Sequence, residues 1–200
     1  MNQSPSGSSR PSQNPKFALD KYLVHQKMLT LNSKYYVYDE LQRPLFFVER
    51  PALKLKAHVT IFEDDSKSAK VLELRQDRII AINQMFTLLT PEGGTLCVFE
   101  RQGLFSMLRR TWKITGPDGQ HIATAQEDSW AKALLRRFVT DYIRTDFEVL
   151  MADGTKVGYF HRKFTLGDKY SLDLSADPGR RLDRRIAVGL AILLDTAEAR

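Results

Sequence analysis

From Tyr22 onward, apolar and polar positions alternate in short stretches rich in Val, Ile, Phe, Tyr and Thr, each ended within a few residues by Gly, Asp or Pro. A period of two marks a strand with one buried face, and strands divided by such turn residues form a meander of antiparallel hairpins. One unit recurs four times: an aromatic or β-branched strand, an acidic or glycine turn, and a second strand. The copies are residues 35–50, 85–101, 112–123 and 147–160. Gly94, Gly119 and Gly154 are placed in the turns, since tight hairpins need a positive φ that glycine adopts without a Cβ clash. Residues 57–62 and 71–82 add two strands across the acidic turn Glu63-Asp64-Asp65. A meander this long is expected to close, because closure removes the exposed edges that promote aggregation.

Two segments break the pattern. In residues 128–138, Asp128 or Ser129 can cap a helix and Trp130, Leu134 and Phe138 recur at helical spacing on one face, which predicts a short amphipathic helix. The second, about 183–198, is apolar on every face of the helical wheel from Ile186 to Leu194. Such a helix must be enclosed on all sides or lie in lipid. The run is about half of the roughly 20 residues a bilayer span needs, so enclosure in protein is expected. Ala187, Gly189 and Ala191 suit a helix threaded through a narrow space. The fold class expected is mainly β, a closed antiparallel barrel enclosing a hydrophobic C-terminal helix.

Composition narrows the setting. With 200 residues, 42% hydrophobic and 27% charged, the chain can bury one good core and is short for two. Residues 1–20 read as a disordered polar tail, Ser- and Pro-rich and without the apolar centre of a signal peptide; residues 21–200 form the domain. Cys97 is the only cysteine, which excludes an internal disulfide and a cysteine-rich zinc site and fits a reducing, intracellular setting. The net charge of +6 favours anionic partners: phosphorylated head groups, acidic membrane surfaces, nucleic acid or acidic proteins. The same balance also serves plain solubility.

Three stretches carry a family resemblance. Residues 34–39, Lys-Tyr-Tyr-Val-Tyr-Asp, look like the opening hairpin of LURP-one and bacterial scramblase-like proteins. Residues 106–112, Ser-Met-Leu-Arg-Arg-Thr-Trp, look like their Ser-Leu-Arg connector, and residues 167–174, followed by the terminal helix, resemble their closing strand. The order of these motifs, over about Tyr22 to Arg200, resembles the Tubby C-terminal-like superfamily, which includes phospholipid scramblases and LURP-one-related proteins. The resemblance implies a closed barrel of about twelve strands with the helix at its centre, and no active site. It also implies anionic lipid or phosphoinositide as a partner, as for Tubby proteins, with calcium-dependent lipid movement associated with scramblases and defence with plant LURP-one proteins.

Candidate chemistry follows from residue types. The histidines His25, His58, His121 and His161 lie far apart, outside any catalytic motif, so no catalytic residue, cofactor or enzyme activity is expected. Asp173, Asp177 and Asp183 occupy the place of the scramblase acidic loop, but Arg180 and Arg181 intrude and no bidentate Glu follows, so no metal site is expected. The basic pairs Arg109-Arg110, Arg136-Arg137, Arg162-Lys163 and Arg184-Arg185 are candidate anion contacts. Residues two apart in a strand share a face, which favours Lys54 and Lys56 for one phosphate. Lys132, Arg136 and Arg137, on the helix with Trp130 and Phe138, could instead lie on an acidic membrane. The competing reading has Trp130 and Phe138 cap the barrel while the arginines are solvated. The expected function is a scramblase-like or LURP-one-like binding module, cytoplasmic and peripheral at the membrane, that binds anionic lipid head groups. The alternative is a soluble protein-interaction or ligand-binding scaffold. No transmembrane span or lipid scrambling is expected, nor nucleic-acid binding, because the basic residues are spread out and no recognition helix accompanies them.

Overall fold

A computed structural model describes residues 14–27, 33–51, 56–78, 84–103, 109–128, 146–163 and 169–198. After a 3-10 turn at Pro15–Ala18 come twelve strands: β1 Lys21–Lys27, β2 Ser33–Tyr38, β3 Pro44–Arg50, β4 His58–Phe62, β5 Lys70–Arg78 and β6 Met85–Leu89. They continue with β7 Thr95–Arg101, β8 Thr111–Thr115, β9 His121–Glu127, β10 Phe147–Met151, β11 Lys156–Lys163 and β12 Lys169–Asp173, followed by helix α1, Arg184–Glu198. Each strand pairs antiparallel with its sequence neighbours and β12 pairs with β1, so the sheet is a closed barrel without an edge. The expected fold class stands.

All four recurrent hairpins are present, as β2–β3, β6–β7, β8–β9 and β10–β11. One turn assignment changes. At β6–β7 the positive φ belongs to Gly93 (+90°), not Gly94, because the Gly93 N–H closes the turn onto the Thr90 carbonyl and puts the left-handed residue one position earlier. Gly119 and Gly154 take φ of +81° and +82° as expected.

The alternation becomes a division between inside and outside: Val59 and Ile61 of β4, Leu72 and Leu74 of β5, Trp112 and Ile114 of β8 point inward and are buried. They close around α1, whose Ile186 to Leu194 are buried on every face. Burial of a Leu or Ile side chain contributes roughly 1.5–3 kcal/mol, which is why a helix with no polar face belongs here. Small residues set how closely the layers approach. A Cβ on Gly189 would lie 2.7 Å from Leu88 of β6, and one on Gly158 of β11 would lie 2.7 Å from Leu174. Cys97 is buried in the core, and burial pushes its thiol up.

The amino end of α1 is tied down by charge. Asp183 caps the helix, its Oδ1 accepting from the Arg185 N–H at 2.9 Å. Inside the wall, Arg184 donates to Asp177 Oδ2 at 2.7 Å and to Asp20 Oδ1 at 2.8 Å. Burial alone would raise the Asp177 carboxyl. The bonds from Arg184 and from the Arg181 and Leu182 N–H groups outweigh it and hold that carboxyl below the ordinary aspartate value.

Candidate functional site

An antiparallel barrel alternates the ends at which its strands are joined, so twelve strands give each end its own set of connections. At the first, here the turn end, lie residues 39–43, 63–69, 90–94, 116–120 and 152–155, together with 174–183 leading to α1. At the opposite, connector end, the strands meet residues 28–32, 51–57, 79–84, 102–110, 128–146 and 164–168. The two sets differ in composition. The turn-end segments contain ten acidic and four basic residues, the connector-end segments eight basic and four acidic. The connector-end segments also contain large apolar residues, among them Ile79, Ile80, Leu104, Phe105, Trp130 and Phe138.

The acids of the turn end serve the turns. Asp39 accepts from the Arg43 N–H at 2.8 Å and from its guanidinium at 2.6 Å. Asp64 accepts from the Ser66 N–H and hydroxyl, and these bonds hold it below the usual carboxylate range. Asp153 accepts from the Thr155 N–H and from Arg181, and is lowered to about 2. A groove of about 330 Å³ lies between the 3-10 turn and residues 39–43, with Leu41, 73% exposed, on its rim. Its charges are already matched to one another: Lys21 with Glu40 at 3.0 Å, Arg43 with Asp39, and Asp20 with Arg184.

Of Lys54, Lys56, Lys132, Arg136 and Arg137, Lys56 is among the described residues: it lies at the connector end, exposed, at a bend two residues before β4, and its ammonium donates to the Asp77 carbonyl at 2.9 Å. It is therefore not on a strand face, and the shared-face geometry expected for Lys54 and Lys56 does not apply to it. Lys54, Lys132, Arg136 and Arg137, with Trp130 and Phe138 and the helix expected over 128–138, lie outside the described residues. Three members of the basic pairs are structural. Arg184 is the buried anchor of α1, while Arg185 closes onto Asp183 at 2.5 Å. Arg109 is held by the Glu127 carbonyl and by Glu148 at 3.0 Å.

The register of β9, β10 and β11 builds a polar cluster that sequence reading missed. Asp128 and Asp146 flank residues 129–145, and the Asp128 N–H donates to the Asp146 carbonyl at 3.1 Å. The Tyr159 hydroxyl donates to Asp128 Oδ2 at 2.6 Å and reaches Asp146 Oδ2 at 3.4 Å. His161 Nδ1 lies 2.7 Å from Asp146 Oδ1, and the two rings stack at 6.3 Å. Burial and then the two carboxylates push the Tyr159 phenol up, so it works as a donor at neutral pH. The cluster is a clasp across the base of the most basic connection. Its only sequence signal is the Tyr-x-His spacing on β11, which puts both rings on one outer face. Among the described residues, no group of His, Cys, Asp or Glu side chains could hold a metal ion. None of their helices is long and apolar enough to cross a membrane.

Compared with known proteins, the sequence matches the profile of the LURP-one-related family over residues 20–195. No curated protein and no solved structure matches it.

Proposed function

Since the chain belongs to the LURP-one-related family, we propose that it is a non-enzymatic binding module that docks by its connector end on anionic lipid head groups at the cytoplasmic face of a membrane. The observation that carries this reading is the separation of charge and apolar residues between the two ends. An anionic surface attracts the end with eight basic and four acidic residues and repels the end with four and ten, so the field orients the barrel before contact. Apolar residues interleaved with the cations supply the second signal that stable peripheral attachment requires. Lys54, Lys132, Arg136 and Arg137 are the lipid contacts in this reading, with Lys56 beside them. The clasp at Asp128, Asp146, Tyr159 and His161 sets where the segment bearing three of them leaves the barrel.

Attachment without transport is the form proposed, because α1 is enclosed by the barrel wall and its removal would empty the core. The chain is expected to float with phosphatidylserine-containing vesicles and to stay behind with phosphatidylcholine vesicles. Each cation near such a surface contributes about 1 kcal/mol, so Lys132→Glu, Arg136→Glu and Arg137→Glu together should weaken binding by roughly a hundredfold or more. Molar salt should release the wild type by shortening the Debye length to about 3 Å. Equal flotation of wild type and triple variant, or no binding at low salt, would sink the proposal.

A further inference from the structure

On the outer face of β1–β4, five rings from four neighbouring strands form a continuous ladder. His25 lies 4.9 Å from Tyr38, Tyr38 lies 6.0 Å from Tyr36, Tyr36 lies 5.2 Å from Phe47, and Phe47 lies 6.4 Å from Phe62. Register produces it: Tyr36 faces His25 on one side and Phe47 on the other, and Phe47 faces Phe62. Their inward-facing neighbours Tyr35, Val37, Val48 and Ile61 fill the core, so the ladder is surplus to it. Phe47 points outward yet is only 3% exposed, packed against the rings of Tyr36 and Phe62, with the Lys67 ammonium 5.8 Å from its centre.

Beside the ladder, towards the turn end, is a hollow of about 130 Å³, apolar along Pro44 and Leu45 and acidic along Glu63, Asp64 and Asp65. Lys16 matches Glu63 at 2.6 Å, which leaves the carboxylates of Asp64 and Asp65 as the excess charge of the rim. The Tyr36 hydroxyl points at Asp65 Oδ2, 3.4 Å away.

Shape and charge decide what fits. β1, β2, β3 and β4 are each paired on both sides, so no edge is available for an added strand. The rim acids repel an anionic head group, so this face does not share the ligand proposed for the opposite end. A row of rings flanked by acid suits an extended polyproline segment, whose pyrrolidine rings pack on aromatic faces. A cation on that segment meets Asp64 and Asp65 and the ring faces. We infer that the outer face of β1–β4 docks a proline-rich peptide carrying arginine or lysine at one end.

The test titrates the full chain against two fluorescent synthetic peptides, a run of prolines ending in two arginines and the same run ending in two glutamates. Anisotropy should show saturable binding of the arginine peptide and at least about tenfold weaker binding of the glutamate peptide, as expected where a charge pair guides recognition. Asp65→Lys, at an exposed turn position, and Tyr38→Ala should each weaken the arginine peptide about tenfold with unchanged circular dichroism. If Tyr38→Ala unfolds, Asp65→Lys alone decides. Absent saturation with the arginine peptide, equal binding of both peptides, or full binding by Asp65→Lys overturns the inference. None of these outcomes depends on whether the connector end binds lipid.

Discussion

Arg184 shows how far one side chain can depart from what its neighbours in sequence imply. Beside Arg185 it reads as half of a basic surface pair, yet it lies inside the wall at 5% exposure and joins Asp177 to Asp20. Removing one partner of a buried pair strands the other charge, so Asp177→Asn should cost about 3–5 kcal/mol in chemical denaturation. The pH dependence has a definite sign. Asp177 is held below its unfolded value of about 3.9, so its contribution is complete above that pH and disappears as pH falls through the folded value. Stability measured from neutrality down through this window should therefore fall more steeply in the wild type than in Asp177→Asn. A matching slope in both would assign the acid sensitivity to other carboxylates. Gly189 makes a second residue-scale case. Alanine would gain about 1 kcal/mol in helix propensity, but its Cβ would meet Leu88 at 2.7 Å, and overpacking costs about 1–3 kcal/mol. Gly189→Ala should thus be neutral to destabilising in thermal melts, the reverse of its effect in an exposed helix.

For the strands and the helix, local chemistry carries most of the information, and so most of them were legible in the sequence. The four hairpins could be read because aspartate and glycine turns end runs of alternating residues, as at Asp118-Gly119 and Asp153-Gly154. Helix α1 could be read because no polar stripe divides Ile186 to Leu194. Register could not, since it is fixed by closure and by bulges such as that between Val37 and Tyr38. The features register creates were hidden with it. Asp128 and Tyr159 are 31 positions apart, and nothing local announces their contact. Tyr36, Tyr38, Phe47 and Phe62 read as strand formers without disclosing that they line up on the outside. The position of α1 as the barrel's filling has a consequence for its variants. Val188→Asp would place an unpaired charge among buried residues and should abolish the cooperative melt. A folded Val188→Asp protein that had only lost vesicle binding would show that α1 serves as an anchor instead.

The whole molecule is a barrel with unlike ends. Hairpin turns favour Asp, Asn and Gly for conformational reasons, so the turn end gathers acid as a by-product of folding. Turn conformation gives no such reason for the basic residues at the opposite end, which is why the proposed function is placed there. The same polarity keeps the two proposed ligands apart: an anionic surface faces the connector end, and a cationic proline-rich peptide meets the acidic rim of β1–β4. The proposed lipid contacts are chosen by charge and spacing in the sequence, and four of the five lie outside the described residues. Their assignment rests on β3, β4, β9 and β10, whose ends flank the segments that contain them.

Orientation on a membrane is therefore the decisive observable. Cys97 is buried with a raised thiol, so a polarity-sensitive fluorophore can be attached selectively at Lys56→Cys on the connector end or at Asp118→Cys on the turn end. On adding phosphatidylserine vesicles, the label at position 56 should shift to the blue and resist an aqueous quencher, while the label at 118 should remain as in buffer. A response at 118, or the same response at both positions, would contradict docking by the connector end.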